Sequence, residues 1–119
     1  MSFKVSFLLV GITLTTSTLL GEQSTAIVPE RHLDLMFTYC MDCHDADTQK
    51  GKVNLEDLPL EVDTLQNAEL WQKVLDVLNS GEMPPENKKQ PESVAKADFL
   101  EDLAKTMVLA RKKLSDSGG

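Results

Sequence analysis

The chain has 119 residues and a formal net charge of −7, so its length suits one small domain and not two. Its 41% hydrophobic and 26% charged residues are typical of an ordinary globular protein rather than a disordered or membrane-embedded one. The acidity argues against nucleic acid and anionic lipid as partners, because both need a basic surface.

The first 26 residues have the pattern of a secretory leader. Lys4 supplies a positive charge, residues 7–14 are almost wholly apolar, and small residues follow before Ala26. We predict a signal peptide over 1–26, because this apolar run is too short to span a bilayer comfortably. The mature domain, residues 27–119, is then expected in the periplasm, at the cell surface or secreted, with no stable membrane insertion after cleavage.

Three amphipathic segments predict an all-α fold. Apolar residues recur at helical spacing over about 30–44, 68–79 and 91–114, and no stretch alternates strongly enough to demand a strand. We expect the folded core at Pro29–Leu114 and a polar tail at 115–119.

Local signals add detail around the second helix. Asn67 is its expected N-cap, and Gly81 suits the position just after its end. The connection before this helix, residues 45–66, is polar and has no strong period. A connection of this length inside a compact domain is usually functional, and wrapping a flat cofactor would be a sufficient function.

The only two cysteines lie in the run Cys40-Met41-Asp42-Cys43-His44, the pattern of c-type haem attachment. Residues three apart on a helix share a face, so both sulfurs can reach neighbouring vinyl groups on one porphyrin edge. His44 lies one turn beyond Cys40, where its imidazole can bind iron as the proximal ligand. We therefore predict one haem c, attached covalently through Cys40 and Cys43.

Three other interpretations of the cysteine pair remain open. A thiol–disulfide redox protein using Cys40 and Cys43 would be expected in a βαβ setting, which this sequence lacks. A zinc site would need a fourth ligand besides these cysteines and His44, and His32 is the only similar candidate. A disulfide between the two cysteines would close a loop too small to stabilise the fold much.

A second axial ligand is expected, because electron-transfer haems are usually six-coordinate and His/Met ligation raises the reduction potential. Met83 suits this role, since two prolines stiffen the backbone that follows it. The alternatives are a Met83 that only fills the haem crevice, and His32, which we expect to face solvent. The other methionines lie in the leader, on the proximal side or on an apolar helix stripe: Met1, Met36, Met41 and Met107.

An iron with both axial positions filled by protein has no open site for a substrate, which favours electron transfer over catalysis. We expect an electron carrier, or the haem domain of a larger oxidoreductase, with redox proteins as partners. A module at the cell surface whose haem only stabilises the fold is the further alternative. Trp71 is expected to donate either to a haem propionate or to a backbone carbonyl in the core. The expected apolar shell is Leu33, Phe37, Trp71, Val74, Leu75, Leu100 and Leu103.

Further motifs surround the cysteine run. Phe37 precedes Cys40 by three residues, a Lys-Gly element occupies 50–55, Leu-Trp-Gln-Lys-Val follows at 70–74, and Gly-Glu-Met-Pro-Pro at 81–85 comes before Gln-Pro. In this order the sequence resembles the planctomycete-type cytochrome c domain. The resemblance implies a class-I-like helical fold wrapped around one haem, export across the inner membrane, and the methionine of 81–85 as distal ligand. Such domains often open longer secreted proteins, so a free-standing cytochrome and the first part of a larger protein both remain open.

Overall fold

The structure, a computed structural model, describes residues 2–4, 11–12 and 25–117. Within these ranges the only β pairing is an isolated antiparallel bridge between Ile27 and Glu61, so the predicted all-α fold is confirmed. Two short 3₁₀ turns accompany the helices, at Glu30–His32 and Lys50–Lys52. The helices are α1 (Leu33–Tyr39), α2 (Met41–His44), α3 (Leu65–Asn79) and α4 (Ser93–Asp116).

The segment predicted as one helix over 30–44 consists of a 3₁₀ turn and two α-helices that meet at Cys40. The backbone stays close to helical there, since the Cys40 N–H donates to the Met36 carbonyl at 2.8 Å. Met36 and Met41 lie in the core. Phe37 is 55% exposed, and α1 packs against the core through Met36. The place of Phe37 in an apolar shell around the haem stays a prediction.

The second predicted helix begins earlier than expected. Thr64 is the N-cap of α3, because its side-chain oxygen accepts a hydrogen bond from the Asn67 N–H at 3.1 Å, and Asn67 itself lies inside the first turn. The end of the helix agrees with prediction. Gly81 follows the last turn with φ +78°, a left-handed conformation that glycine adopts without steric cost.

The core is formed where α3 packs on α4. Trp71 from α3 and Phe99, Leu103 and Met107 from α4 are almost completely buried. Burial of side chains of this size stabilises a fold by about 1.5–3 kcal/mol each. The apolar face of α4 therefore includes Phe99. The helix extends to Asp116, so part of the predicted tail is helical.

The residues just before the first 3₁₀ turn form backbone hydrogen bonds with the segment that precedes α3. The Ala26 carbonyl accepts from the Val62 N–H at 2.8 Å, and the Val28 N–H donates to the Leu60 carbonyl at 2.9 Å. Ala26 and Val28 are both fully buried. Most of the predicted leader, by contrast, lies outside the described residues. Among the residues that are described, no helix combines the length and apolar character needed to cross a bilayer.

Candidate functional site

Cys40, Cys43 and His44 lie on one turn of helix at the junction of α1 and α2. The N–H groups of Cys43 and His44 both donate to the Cys40 carbonyl, at 3.3 and 3.1 Å. Both cysteines are free thiols, and both are partly exposed. Two sulfurs and an imidazole therefore leave the backbone within a single turn, with no disulfide between the sulfurs.

The orientation of the His44 ring is set by a backbone carbonyl. Nδ1 of His44 lies 3.3 Å from the Val53 carbonyl oxygen, and since a carbonyl can only accept, Nδ1 carries the hydrogen. Nε2 of a neutral ring then has a free lone pair, and no hydrogen bond to it occurs within residues 25–117. A histidine held in this way is prepared to bind a metal through Nε2.

The connection between α2 and α3, residues 45–64, supplies that carbonyl by folding back onto the end of α2. It turns through three residues with positive φ, namely Gln49 at 41°, Gly51 at 66° and Lys52 at 62°. The Lys52 N–H donates to the Gln49 carbonyl at 2.8 Å, which closes the turn. Beyond the turn, the Leu55 N–H donates to the carbonyl of His44 itself at 2.7 Å.

Two acidic side chains bind backbone N–H groups in the same region. The carboxylate of Glu56 accepts from the Ala46 N–H at 2.8 Å, and that of Asp45 accepts from the Thr48 N–H at 2.6 Å. Hydrogen bonds from Thr48 lower the pKa of Asp45. Sequence reasoning missed Glu56, because its partner lies ten residues away and no local pattern indicates the pair.

Met83 lies in the loop that follows α3, and its side chain is half-buried. The Met83 N–H donates to the Val77 carbonyl at 3.1 Å, which ties the loop to the last turn of the helix. Further along, the Gln90 side-chain amide donates to the carbonyls of Pro84 and Pro85, each at 3.0 Å. Gln90, which the sequence marked only as part of the Gln-Pro motif, thus fastens the loop that carries Met83.

Residues 40–87 match the family model described as Planctomycete cytochrome C. The match begins at Cys40 and contains Cys43, His44 and Met83. This part of the chain is a planctomycete-type cytochrome c domain. It is accordingly a c-type cytochrome domain, a class of domain that binds haem. No curated protein and no solved structure matches the chain.

The donor set of the cytochrome domain fits a c-type haem. Such a haem needs two thiols that are not bonded to each other, an imidazole with a free nitrogen, and an optional second axial donor. Cys40 and Cys43 are free, Nε2 of His44 has a free lone pair, and Met83 offers a thioether. The residues that would hold the group are therefore present in usable chemical form.

The same thiols are poorly suited to disulfide exchange. Burial raises the pKa of the Cys40 thiol to about 11, so Cys40 is protonated at neutral pH. Cysteines that exchange disulfides have a lowered pKa instead, because the thiolate is the nucleophile. The described residues also contain no strand, and hence none of the βαβ setting of thioredoxin-like sites.

A zinc site at the cysteines finds no support in the geometry either. Within the described part of the chain, the only group of three potential ligands close enough to share a metal is His32, Asp98 and Asp102. Neither cysteine belongs to it. Arg31 forms salt bridges to both of these aspartates, so its guanidinium group already supplies the positive charge at that position.

Two expectations about aromatic side chains are decided by hydrogen bonds. His32 is buried rather than solvent-facing, because its ring lies against Phe99 and its Nε2 is 2.7 Å from an oxygen of Asp102. The expectation that it faces solvent was wrong, and its engaged Nε2 makes it a poor distal ligand. Trp71 donates through Nε1 to the Pro59 carbonyl at 2.9 Å, which is the backbone alternative of the two predicted.

Proposed function

We propose that the chain attaches one haem c through Cys40 and Cys43, binds its iron with His44 and Met83, and transfers single electrons. The observation that carries this proposal is the state of the His44 ring. Its Nδ1 is engaged by a backbone carbonyl and its Nε2 is free, on the same turn as two free thiols. This is the usual arrangement of a metal-binding histidine, whose second nitrogen donates to a carbonyl or carboxylate.

Electron transfer follows from the number of ligands. With His44 and Met83 both bound, the iron has no open position for a substrate, and outer-sphere electron exchange is the remaining chemistry. The chain then acts as an electron carrier, or as the haem domain of a larger oxidoreductase. The net charge of −7 favours redox partners that present a basic surface, since complementary charge speeds encounter.

The test is to express the full chain in a host that attaches haem to c-type cytochromes. We expect the purified protein to be heavier by one haem after denaturation, and its reduced form to show sharp α and β bands. A Cys40→Ser, Cys43→Ser double variant should lose the covalent haem, because both thioether bonds need a sulfur. A wild-type chain with the mass of the bare polypeptide, from a host that loads another c-type cytochrome, would overturn the proposal.

Reversible reduction is the second arm of this test. We expect the bound haem to take up and release one electron per chain in a potentiometric titration, with the same spectrum after each cycle. A haem that is bound but cannot be reduced by any mediator would contradict electron transfer. The alternative in which the haem only stabilises the fold would then remain. Alkylation gives a further check: native Cys40 and Cys43 should not react, because both sulfurs are already in thioethers.

We also propose that the domain works outside the cytoplasm after removal of a leader over residues 1–26. The support is the leader pattern at the start of the chain, together with a family whose members are typically exported. A cut after Ala26 would remove the carbonyl that accepts from the Val62 amide, so the first residue of the exported protein decides whether that contact is kept. Intact mass of the exported protein gives its first residue, and a full-length cytoplasmic product would contradict export.

A further inference from the structure

The segment from Val53 to Glu56 is joined to the end of α2 by three hydrogen bonds. His44 Nδ1 donates to the Val53 carbonyl, the Leu55 N–H donates to the His44 carbonyl, and the Ala46 N–H donates to the Glu56 carboxylate. Two of these contacts use only backbone groups on the 53–56 side. Glu56 is the only one of its residues that contributes a side chain.

Backbone hydrogen bonds of this kind do not select one register by themselves, because every residue carries the same donor and acceptor. A side chain that reaches one particular amide does select it. The Glu56 carboxylate reaches the amide two residues after His44, next to the bond that Leu55 makes to His44. It therefore fixes which carbonyl of the segment lies opposite the imidazole.

The loop between the two segments does not impose this arrangement. Gln49 and Lys52 have positive φ, a conformation that non-glycine residues adopt only when the surroundings hold them there. The turn is held partly by its own hydrogen bonds, such as that from Lys52 to Gln49, and partly by contacts at its two ends. The Ala46–Glu56 hydrogen bond, at 2.8 Å, is one of those contacts.

We propose that Glu56 is a positioning residue for His44: it binds the Ala46 N–H and thereby keeps the Val53 carbonyl opposite Nδ1. This inference rests on the proposed function of His44 as a haem ligand. A hydrogen bond at Nδ1 fixes the tautomer and makes the other nitrogen a more basic ligand. Glu56 would in this way influence the reduction potential without touching the haem.

The experiment compares two variants of identical charge in the haem-loaded full chain. Glu56→Gln keeps an oxygen that can accept from Ala46, whereas Glu56→Ala removes it. Amide exchange at Ala46 in the reduced protein should be about tenfold faster in Glu56→Ala than in Glu56→Gln, as for the loss of one hydrogen bond. The potential of Glu56→Ala should also be more positive than that of Glu56→Gln, because a less basic histidine stabilises ferric iron less.

Glu69→Ala serves as the control, since the Glu69 side chain is exposed on α3 and makes no hydrogen bond within residues 25–117. It should leave Ala46 exchange unchanged. Equal exchange and equal potential in the two Glu56 variants would overturn the inference, even if both differ from wild type, because charge alone would then explain the effect. If the wild-type chain itself carries no haem while it is folded by circular dichroism, the proposed function fails instead.

Discussion

The two sides of the candidate haem site are built differently. On the proximal side the ring of His44 is itself hydrogen-bonded, to a carbonyl on a segment that is tied to α2 at two further points. On the distal side the hydrogen bonds hold only the backbone near Met83, through Val77 and Gln90. Within residues 25–117 the Met83 sulfur takes part in no hydrogen bond, and a methionine sulfur is in any case a weak acceptor.

The two proposed ligands therefore differ in what the hydrogen bonds fix. The structure fixes the orientation of the His44 ring, the proposed proximal ligand, and it fixes only the position of the loop that carries Met83, the proposed distal ligand. The His44 bond to iron is therefore expected to survive changes that remove the Met83 bond. Three experiments can break or sharpen this contrast.

The largest effect is expected from Met83→Leu, which removes the sulfur and keeps an apolar side chain of similar size. We expect the haem to remain attached, the weak near-infrared sulfur-to-iron band to disappear, and the potential to fall by on the order of 0.1 V or more, within the roughly 0.8 V that axial ligands span. Met107→Leu, in the core of α4, is the matched control and should retain the band. A band that persists in Met83→Leu would place the distal ligand elsewhere.

A smaller effect is expected from Gln90→Glu, which preserves the shape of the side chain but removes both amide donors. The carbonyls of Pro84 and Pro85 then lose their partner, and the Met83 loop becomes easier to displace. Added imidazole should replace Met83 at a concentration about tenfold lower than in wild type, as for the loss of about one net hydrogen bond. Glu86→Gln, a change of the same size in the same loop, should leave the imidazole titration unchanged. Identical titrations for Gln90→Glu and wild type would show that the hydrogen bonds of Gln90 do not hold the Met83 loop in place.

The smallest effect is expected where the turn before α1 contacts α4, through His32 and Asp102. The pKa of Asp102 is lowered by its hydrogen bond to His32 and by the charge of Arg31, so its ionised form stabilises the fold at pH values above its ordinary pKa of 3.8. That stability is lost as the pH falls through the lowered pKa. Asp102→Asn should therefore melt a few degrees below wild type at pH 6, and the difference should shrink towards pH 3.

Asp98→Asn is the control for this titration. Asp98 lies on α4, as Asp102 does, and forms an exposed ion pair with Arg31. Exposed ion pairs contribute about 0–1 kcal/mol to the stability of the fold. Its melting temperature should stay close to that of wild type from pH 3 to pH 6. An Asp102→Asn protein whose deficit is the same at every pH would show that the contact to His32 acts through packing and not through charge.

Much of the framework could be predicted from the sequence. The second and third helices were located within three residues at each end, because an apolar stripe at helical spacing is a local property. Asn67 was assigned the cap that Thr64 provides, since both residue types suit an N-cap and only the backbone path decides between them. His32 was expected at the surface and is buried, for a similar reason. The faces of a short helix depend on which neighbour covers it.

The sequence by itself determined the chemistry: two cysteines and a histidine within one turn, a methionine beside two prolines, and the order of motifs that marks the cytochrome c family. Those features depend only on neighbours along the chain. The tertiary structure alone decided how the proposed ligands are held, through Val53 and Glu56 near His44 and through Gln90 near Met83, and it brought His32 against Asp102. Their partners meet only after loops close, and loop closure is not encoded in any short window of sequence.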